Sequence, residues 1–223
     1  MKWCTLLCLA LGLSGLASLY GRVKAKPESI LIHSEMQLAT GISLDMIISS
    51  KEQKYIRAAI HDDQKTVGVT IVLNKNTIQS IEESNLKSSI RTLKGEDAAS
   101  NLLDLIALNP DYHFSGRDVY NFKIPIPEGY HIELEYEEDP IAGTERYAPI
   151  KLLLYKVEKS GETLIRSIEY ISFFENKKPY LQPKEIIFTD EETGESGRII
   201  VHKVVYDVGL PNFLFKLRDE TEK

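Results

Sequence analysis

The feature that most constrains this chain is alternation. From Leu44 onward, apolar residues recur at every second position in one segment after another. Leu44, Met46 and Ile48 alternate with Ser43, Asp45 and Ile47, then Ile56, Ala58 and Ile60 with Tyr55, Arg57 and Ala59. Val67, Val69, Ile71 and Leu73 form a third run, and Asn74-Lys75-Asn76 reverses the chain into Thr77 to Ile81. Further on come Tyr120-Phe122-Ile124, Ile132-Leu134-Tyr136, Leu153-Tyr155-Val157, Ile168-Tyr170 with Phe174, Ile186-Phe188 and Ile199-Val201. Successive side chains of a strand point to opposite faces, so each run offers one apolar face and one polar face. Short turn-rich breaks such as Pro127-Glu128-Gly129, Lys159 to Glu162 and Glu191 to Gly197 separate them, the spacing of antiparallel hairpins. Ten or eleven strands at about 4.8 Å each make a sheet some 50 Å wide, which must twist and curl.

Helical periodicity is confined to two places. Pro27 to Ala39 is predicted as an amphipathic helix, with Ile30, Leu31, Leu38 and Ala39 near one face and Gly41 as its stop. Ala99, Leu102, Leu103 and Ile106 fall at i, i+3, i+4 and i+7, with Glu96 and Asp97 in a first turn that favours negative charge and Asn109-Pro110 as terminator. Glu82 to Lys94 lacks a clear period and is predicted as a loop with a helical turn at most. The fold class is mainly β (α+β), with the helices covering the concave side of the curled sheet.

The first 25 residues are of another kind. A positive start at Lys2 precedes an uncharged run from Trp3 to Ala17, followed at once by Arg22, Lys24 and Lys26. This is the pattern of a signal peptide on an exported protein, with cleavage after Ala17 or Ala25, leaving residues 26–223 as a single domain. Cys4 and Cys8, the only cysteines, lie within it, so the mature chain would hold together by core packing alone. The whole chain carries 27 basic and 33 acidic residues. Removing Lys2, Arg22 and Lys24 leaves 24 basic against 33 acidic residues, a net charge of −9. Such a surface favours solubility and gives no reason to gather on nucleic acid.

No catalytic motif accompanies these elements. There is no glycine-rich phosphate loop, no Gly-x-Ser-x-Gly elbow and no His-Glu-x-x-His. His33, His61, His113, His131 and His202 are scattered singly. His131, Glu133 and Glu135 alternate on one strand face and read as its solvent side, while Asp190 to Glu195 lacks the spacing of a calcium loop and reads as a hairpin tip. No metal and no cofactor is expected. What remains is apolar surface. Residues such as Phe173, Phe174 and Phe213 can fill a core or line a hollow, and a broad curled sheet with few helices encloses more volume than its own side chains fill. Burying a dozen methylenes of an acyl chain yields roughly 10 kcal/mol gross without a catalytic group.

The order of elements resembles the LolA-like, outer-membrane lipoprotein-sorting family of periplasmic carriers. The resemblance runs from Pro27-Glu28-Ser29-Ile30-Leu31 as a leading helix, through Lys54-Tyr55-Ile56-Arg57 as the early strand with a basic residue and Lys94 to Leu108 as the mid-chain helix. Pro183 to Asp190 and Val208 to Phe215 match the closing hairpin and terminal Phe segment. It implies an incomplete β-barrel covered by two or three helices, a hydrophobic cavity, and carriage of acylated lipoprotein or lipid toward the outer membrane without chemistry. Inner- and outer-membrane components would be its partners. Arg57 takes the position of the strand arginine that holds the lid closed. Alternation and resemblance together nominate Leu44, Met46, Ile48, Ile56, Ile71, Leu102, Leu103, Ile106, Phe122, Leu134, Tyr155, Tyr170 and Phe188 as acyl-contacting residues. A β-rich envelope scaffold with a solid interior is the alternative. A hydrolase would require an Asp or Glu to converge with His61, His113 or His202.

Overall fold

The computed structural model describes residues 28–52, 54–62, 67–84, 87–108, 126–140, 147–174 and 181–218. Eleven strands form one sheet: β1 Ser29–Leu38, β2 Ser43–Lys51, β3 Tyr55–Asp62, β4 Val67–Asn74, β5 Thr77–Ser84, β6 Lys87–Thr92, β7 Tyr130–Pro140, β8 Tyr147–Glu158, β9 Gly161–Phe173, β10 Pro183–Asp190 and β11 Ser196–Tyr206. One α-helix, α1 Gly95–Ala107, lies between β6 and β7, and a 3-10 turn spans Asn212–Phe215. The strand order is β6-β5-β4-β3-β2-β1-β11-β10-β9-β8-β7, antiparallel throughout. Sequence neighbours pair as hairpins, except that β1 meets β11 and so joins the two ends of the chain at the middle of the sheet. The edges β6 and β7 do not pair, and the barrel stays open.

Two expectations are corrected here. The segment predicted as the helix Pro27 to Ala39 is the central strand β1. Ile30, Ile32, Ser34 and Met36 alternate along it, and the β-branched pair Ile30 and Ile32 is buried on one face. Its helical spacing was incidental, since pairing on both sides outweighs a weak local preference. Similarly, the segment predicted as a loop from Glu82 to Lys94 contains β6, an edge strand paired with Gln79 to Ser84. Ser88 and Ser89 face solvent there, because an edge strand needs little apolar alternation. The expected two or three helices reduce to α1 and the 3-10 turn among the described residues. The strand predicted at Tyr120 to Ile124 and the signal peptide lie outside them.

Curvature follows from α1. It touches β3 on one wing of the sheet and β7 and β8 on the other. Five strands separate β3 from β8, which would stand about 29 Å apart in a flat sheet. A single helix about 10 Å thick reaches both wings because the sheet wraps around it. The concave face therefore carries the core: Ile30, Ile32, Met46, Ile48, Ile56, Leu73, Leu152, Leu154, Ile168, Ile186, Ile199 and Val201 pack with the helix residues Ala98, Ala99, Leu102, Leu103 and Ile106.

The convex face is partly covered by the chain's own end. After β11 the chain turns at Asp207 and Gly209, both with positive φ, and residues 210–218 strap across β2 to β5. Lys51 Nζ donates to the Leu210 carbonyl (3.2 Å) and to Asn212 Oδ1 (2.7 Å), and Asn74 Nδ2 donates to the Phe215 carbonyl (2.9 Å). Gln79 and the Arg218 backbone exchange two bonds of 2.9 Å, and the Arg218 guanidinium meets Glu83 at 2.9 Å. Phe215 is buried beneath the strap, whereas Phe213 is 73% exposed and belongs to no core.

The hairpin tip between β10 and β11 is a solvated turn, as expected. Asp190 accepts from the Thr193 backbone N–H (2.8 Å) and hydroxyl (2.9 Å), and these bonds hold its carboxyl below the usual carboxylate range. A lowered folded-state value means that the stabilisation is present above the unfolded-state pKa and is lost as pH falls through the folded one. Asp190→Ala is expected to lower stability by about 1 kcal/mol near neutral pH. In strongly acidic solution the two urea unfolding curves should converge. A gap that persisted there would assign the effect to something other than the carboxylate.

Candidate ligand-binding site

The concave face and α1 build the site. α1 begins at Gly95, where φ is +53°. Its buried stripe of Ala98, Ala99, Leu102, Leu103, Leu105, Ile106 and Ala107 turns toward the sheet. Polar contacts fix it on both wings, and Arg91 of β6 meets Asp97 at 3.4 Å. Glu96 meets Lys156 of β8 at 3.4 Å, and Asp104 meets Arg166 of β9 through two bonds of 2.9 and 2.8 Å. Beyond the last turn, the buried Gln182 amide donates to the Leu108 carbonyl at 2.7 Å and satisfies a helix-end acceptor. Lys156, Arg166 and Gln182 lie toward the β8–β10 wing, and Arg91 on the opposite edge. Burial pushes the Asp104 carboxyl up, and the guanidinium beside it pulls the other way.

Arg166 also lies over the Phe188 ring, 5.4 Å from its centroid, a cation–π distance. That ring rests against Gly197, its partner across β10 and β11. A Cβ at Gly197 would stand 2.3 Å from Phe188 Cζ, so the absence of a side chain there lets the aromatic lie close to the sheet. Arg166 faces inward on the same parity as Ile168 and Tyr170, and the β8–β9 register shift between Leu154 and Tyr155 leaves Ile165 as an extra residue beside it. Ile165 joins the core while Arg166 reaches the helix.

Of the residues nominated from sequence, Met46, Ile48, Ile56, Ile71, Leu102, Leu103, Ile106, Leu134 and Tyr170 come together in the buried cluster, with Phe188 packed against its margin. Leu44 lies in the same alternation, opposite Met36 at the open end of β1 and β2. Tyr155 goes elsewhere: next to concave Leu154 in β8, it takes the convex parity of Leu153 and stacks on His131 (centroids 4.9 Å apart), close to Glu133 and Glu162. Arg57 is convex too. It pairs in register with Ser49 and Val72, and its charged neighbours are Glu83 and Arg218 of the strap. Phe122 lies outside the described residues.

Sequence reasoning missed Asp104, Arg166 and Gln182. Asp104 sits among the polar positions of α1, and nothing local marks it as paired. Ser50 was missed as well. Its hydroxyl is buried between Ile30 and Ile56 on the concave side, without a hydrogen-bond partner among the described residues.

A cleft of about 380 Å³ opens onto this core at the N-terminal end of α1. Leu73, Ile78, Leu93, Ala98, Ile126 and Pro127 line its apolar floor, and Asn76, Lys94 and Gly95 its rim. The volume lies within the range of ligand pockets. Among the described residues no three or more His, Cys, Asp or Glu side chains cluster as metal ligands, and no helix is long and apolar enough to cross a membrane.

No family model matches the sequence, and no curated protein matches it significantly. Solved structures do match. A domain attributed to outer membrane lipoprotein sorting, from Vibrio parahaemolyticus, superposes with a TM-score of 0.51 over 90% of this chain and 97% of its own, at 13% identity. The chain is similar in fold to this lipoprotein-sorting domain. A DUF1329 family protein from Desulfovibrio piger gives a TM-score of 0.52 at 14% identity, covering 91% of this chain and 95% of that one. A LolA superfamily protein from Nitrosomonas europaea gives 0.48 at 14% identity, covering 87% and 92%. At these identities the likeness concerns the fold, an open antiparallel sheet curled around a helix.

Proposed function

We propose that the protein is an exported, non-enzymatic carrier that holds an acyl chain of a lipoprotein or lipid between α1 and the concave face and delivers it toward the outer membrane. The observation that carries this reading is the cleft beside the N-terminus of α1, whose apolar floor runs directly into the core. A chain threading there would slide along Leu73 and Ala98 toward Leu102, Ile56 and Ile71, separating helix from sheet as it advanced. In this reading the lid fastening that the sequence resemblance gives to Arg57 falls instead to Arg166, which touches the helix. Residues 1–25 direct export to the periplasm, and membrane components at either side load and unload the carrier.

A scaffold role without a ligand is favoured by one observation, the near-complete burial of Ile32, Ile48, Leu103 and Ile106. Native mass spectrometry with lipid extraction separates the two. The carrier reading expects a co-purifying or competable acyl species. It also expects Ala98→Phe and Asn76→Trp, which fill the cleft from its floor and its rim, to weaken uptake of a fluorescent acyl probe about tenfold, equivalent to 1.4 kcal/mol. Thermal unfolding of Asn76→Trp, at an exposed rim position, should be unchanged. A protein free of lipid, whose probe binding is indifferent to both substitutions, would leave the scaffold reading standing.

A further inference from the structure

The convex face holds a larger groove, of about 660 Å³, across β3, β2, β1 and β11. Its walls include His33, Asp45, Ile47, His61, His202 and Lys203. We propose that this groove is a second binding site, for an amphiphile that joins an anionic head to a short apolar chain, and that it fills when its imidazoles are protonated. The inference is independent of the carrier reading, since the groove and α1 lie on opposite faces of the sheet.

Two departures from regular backbone converge here. The β1–β11 register shifts between His33 and Ser34, leaving His202 as an extra residue. His202 and Lys203 consequently both project outward, where a regular strand would have sent one of them inward. On the other side, His61 lies over Gly68 of β4: a Cβ at that position would stand 2.6 Å from His61 Nδ1. The bare glycine lets the imidazole lean over the neighbouring strand. Bulges that re-aim side chains gather at functional sites, and here a bulge and a glycine gap both turn imidazoles toward one groove. Between them Ile47, 37% exposed, supplies an apolar floor.

Charge decides the class of ligand. Asp45 and, paired beside it, Glu35 supply two carboxylates, and Lys203 is the one fixed cation among the described residues that line the groove. Glu35 is already engaged by the Ser43 hydroxyl, by the Gln37 amide at 3.1 Å and by His202 at 3.4 Å. With neutral imidazoles the groove is net negative by one charge. With His33, His61 and His202 protonated it becomes net positive by two, on a chain whose overall charge is −6. Imidazole is the side chain whose charge ordinarily changes between about pH 5 and 8, so anion affinity should appear on the acid side of that interval.

Decyl sulfate and decyl phosphate, with uncharged decyl maltoside as control, can be titrated calorimetrically into the full chain at about pH 5.5 and about pH 8. Decyl sulfate keeps its charge across the range, so its pH dependence reports on the protein. The expected result is binding of both anions at the lower pH, weakened about tenfold or more at the higher one, and much weaker binding of the maltoside. A preference for the phosphate would point to a phospholipid-like source, and equal affinity to any anionic amphiphile. His33→Gln, His61→Gln and His202→Gln together should remove the pH dependence, Ile47→Glu should remove binding, and the concave variant Asn76→Trp should change neither. Binding that is independent of pH, or that is lost in Asn76→Trp and kept in Ile47→Glu, would overturn the proposal.

Discussion

Phe215→Ala is expected to lower the free energy of unfolding by about 3 kcal/mol, while Phe213→Ala two residues away changes it by less than about 0.5 kcal/mol. Both aromatics belong to the same 3-10 turn, yet only Phe215 is buried, 2% exposed against 73%. Its ring packs on Tyr55 with centroids 6.0 Å apart, and its carbonyl accepts from Asn74. Truncation leaves a cavity over β3 and β4 and loosens the strap that shields Ala59, Val72 and Ile81, each at most 3% exposed. Hydrogen exchange should quicken in β3 to β5 and remain slow in β8 to β10. Equal costs for the two substitutions would mean that the strap contributes little and that the sheet stands without it.

The second large effect concerns the Asp104–Arg166 pair. Arg166→Met should cost about 2 kcal/mol, because it leaves a half-buried carboxylate without its two charge-assisted bonds and removes the cation over Phe188. The double change Asp104→Leu with Arg166→Met should cost much less than the sum of the single ones, since an apolar pair of similar volume removes the desolvation penalty along with the attraction. Urea unfolding of the four proteins gives the coupling directly. The readout that ties the pair to function is hydrogen exchange along α1, which should rise in Arg166→Met as the helix loosens from β9, together with faster release of an acyl probe. Additive costs with unchanged exchange would show that apolar packing alone seats the helix.

Much of this architecture is legible in the one-dimensional pattern. Alternation at Ile56 to Ile60, Val67 to Leu73 and Ile132 to Tyr136 marks strands because half-buried strands require it, and the spacing at Ala99, Leu102, Leu103 and Ile106 marks α1 for the same reason. The acyl-contacting candidates on those runs fall on one concave surface because a sheet has only two faces. Where the reading failed, parity or pairing was at stake. β1 has both a helical and a strand pattern, and only β2 and β11 select between them; β11 lies more than 150 residues along the chain. β6 has almost no pattern, with Ile90 its single apolar residue, since an edge strand needs little apolar alternation.

Ile165 beside Arg166 shows how a single extra residue defeats counting. The extra residue in β9 lets Ile165 and Arg166, adjacent in sequence, both face the concave side, Ile165 in the core and Arg166 against Asp104, while Tyr155 alternates regularly with Leu154 and faces out to His131. The same arithmetic in β11 turns His202 and Lys203 to one side. Arg57 illustrates the other limit: its polar-face position was evident, but which face would be concave was not.

The sequence by itself therefore determined that this chain forms a wide, mostly antiparallel sheet with one apolar face and a helix to cover it, since those follow from local periodicity and the cost of leaving apolar surface in water. The tertiary structure alone decided that β1 sits at the centre, that Arg166 and not Arg57 meets the helix, and that the chain's end straps the convex side. Each of these depends on register and on pairing between distant segments, which no local window of residues encodes.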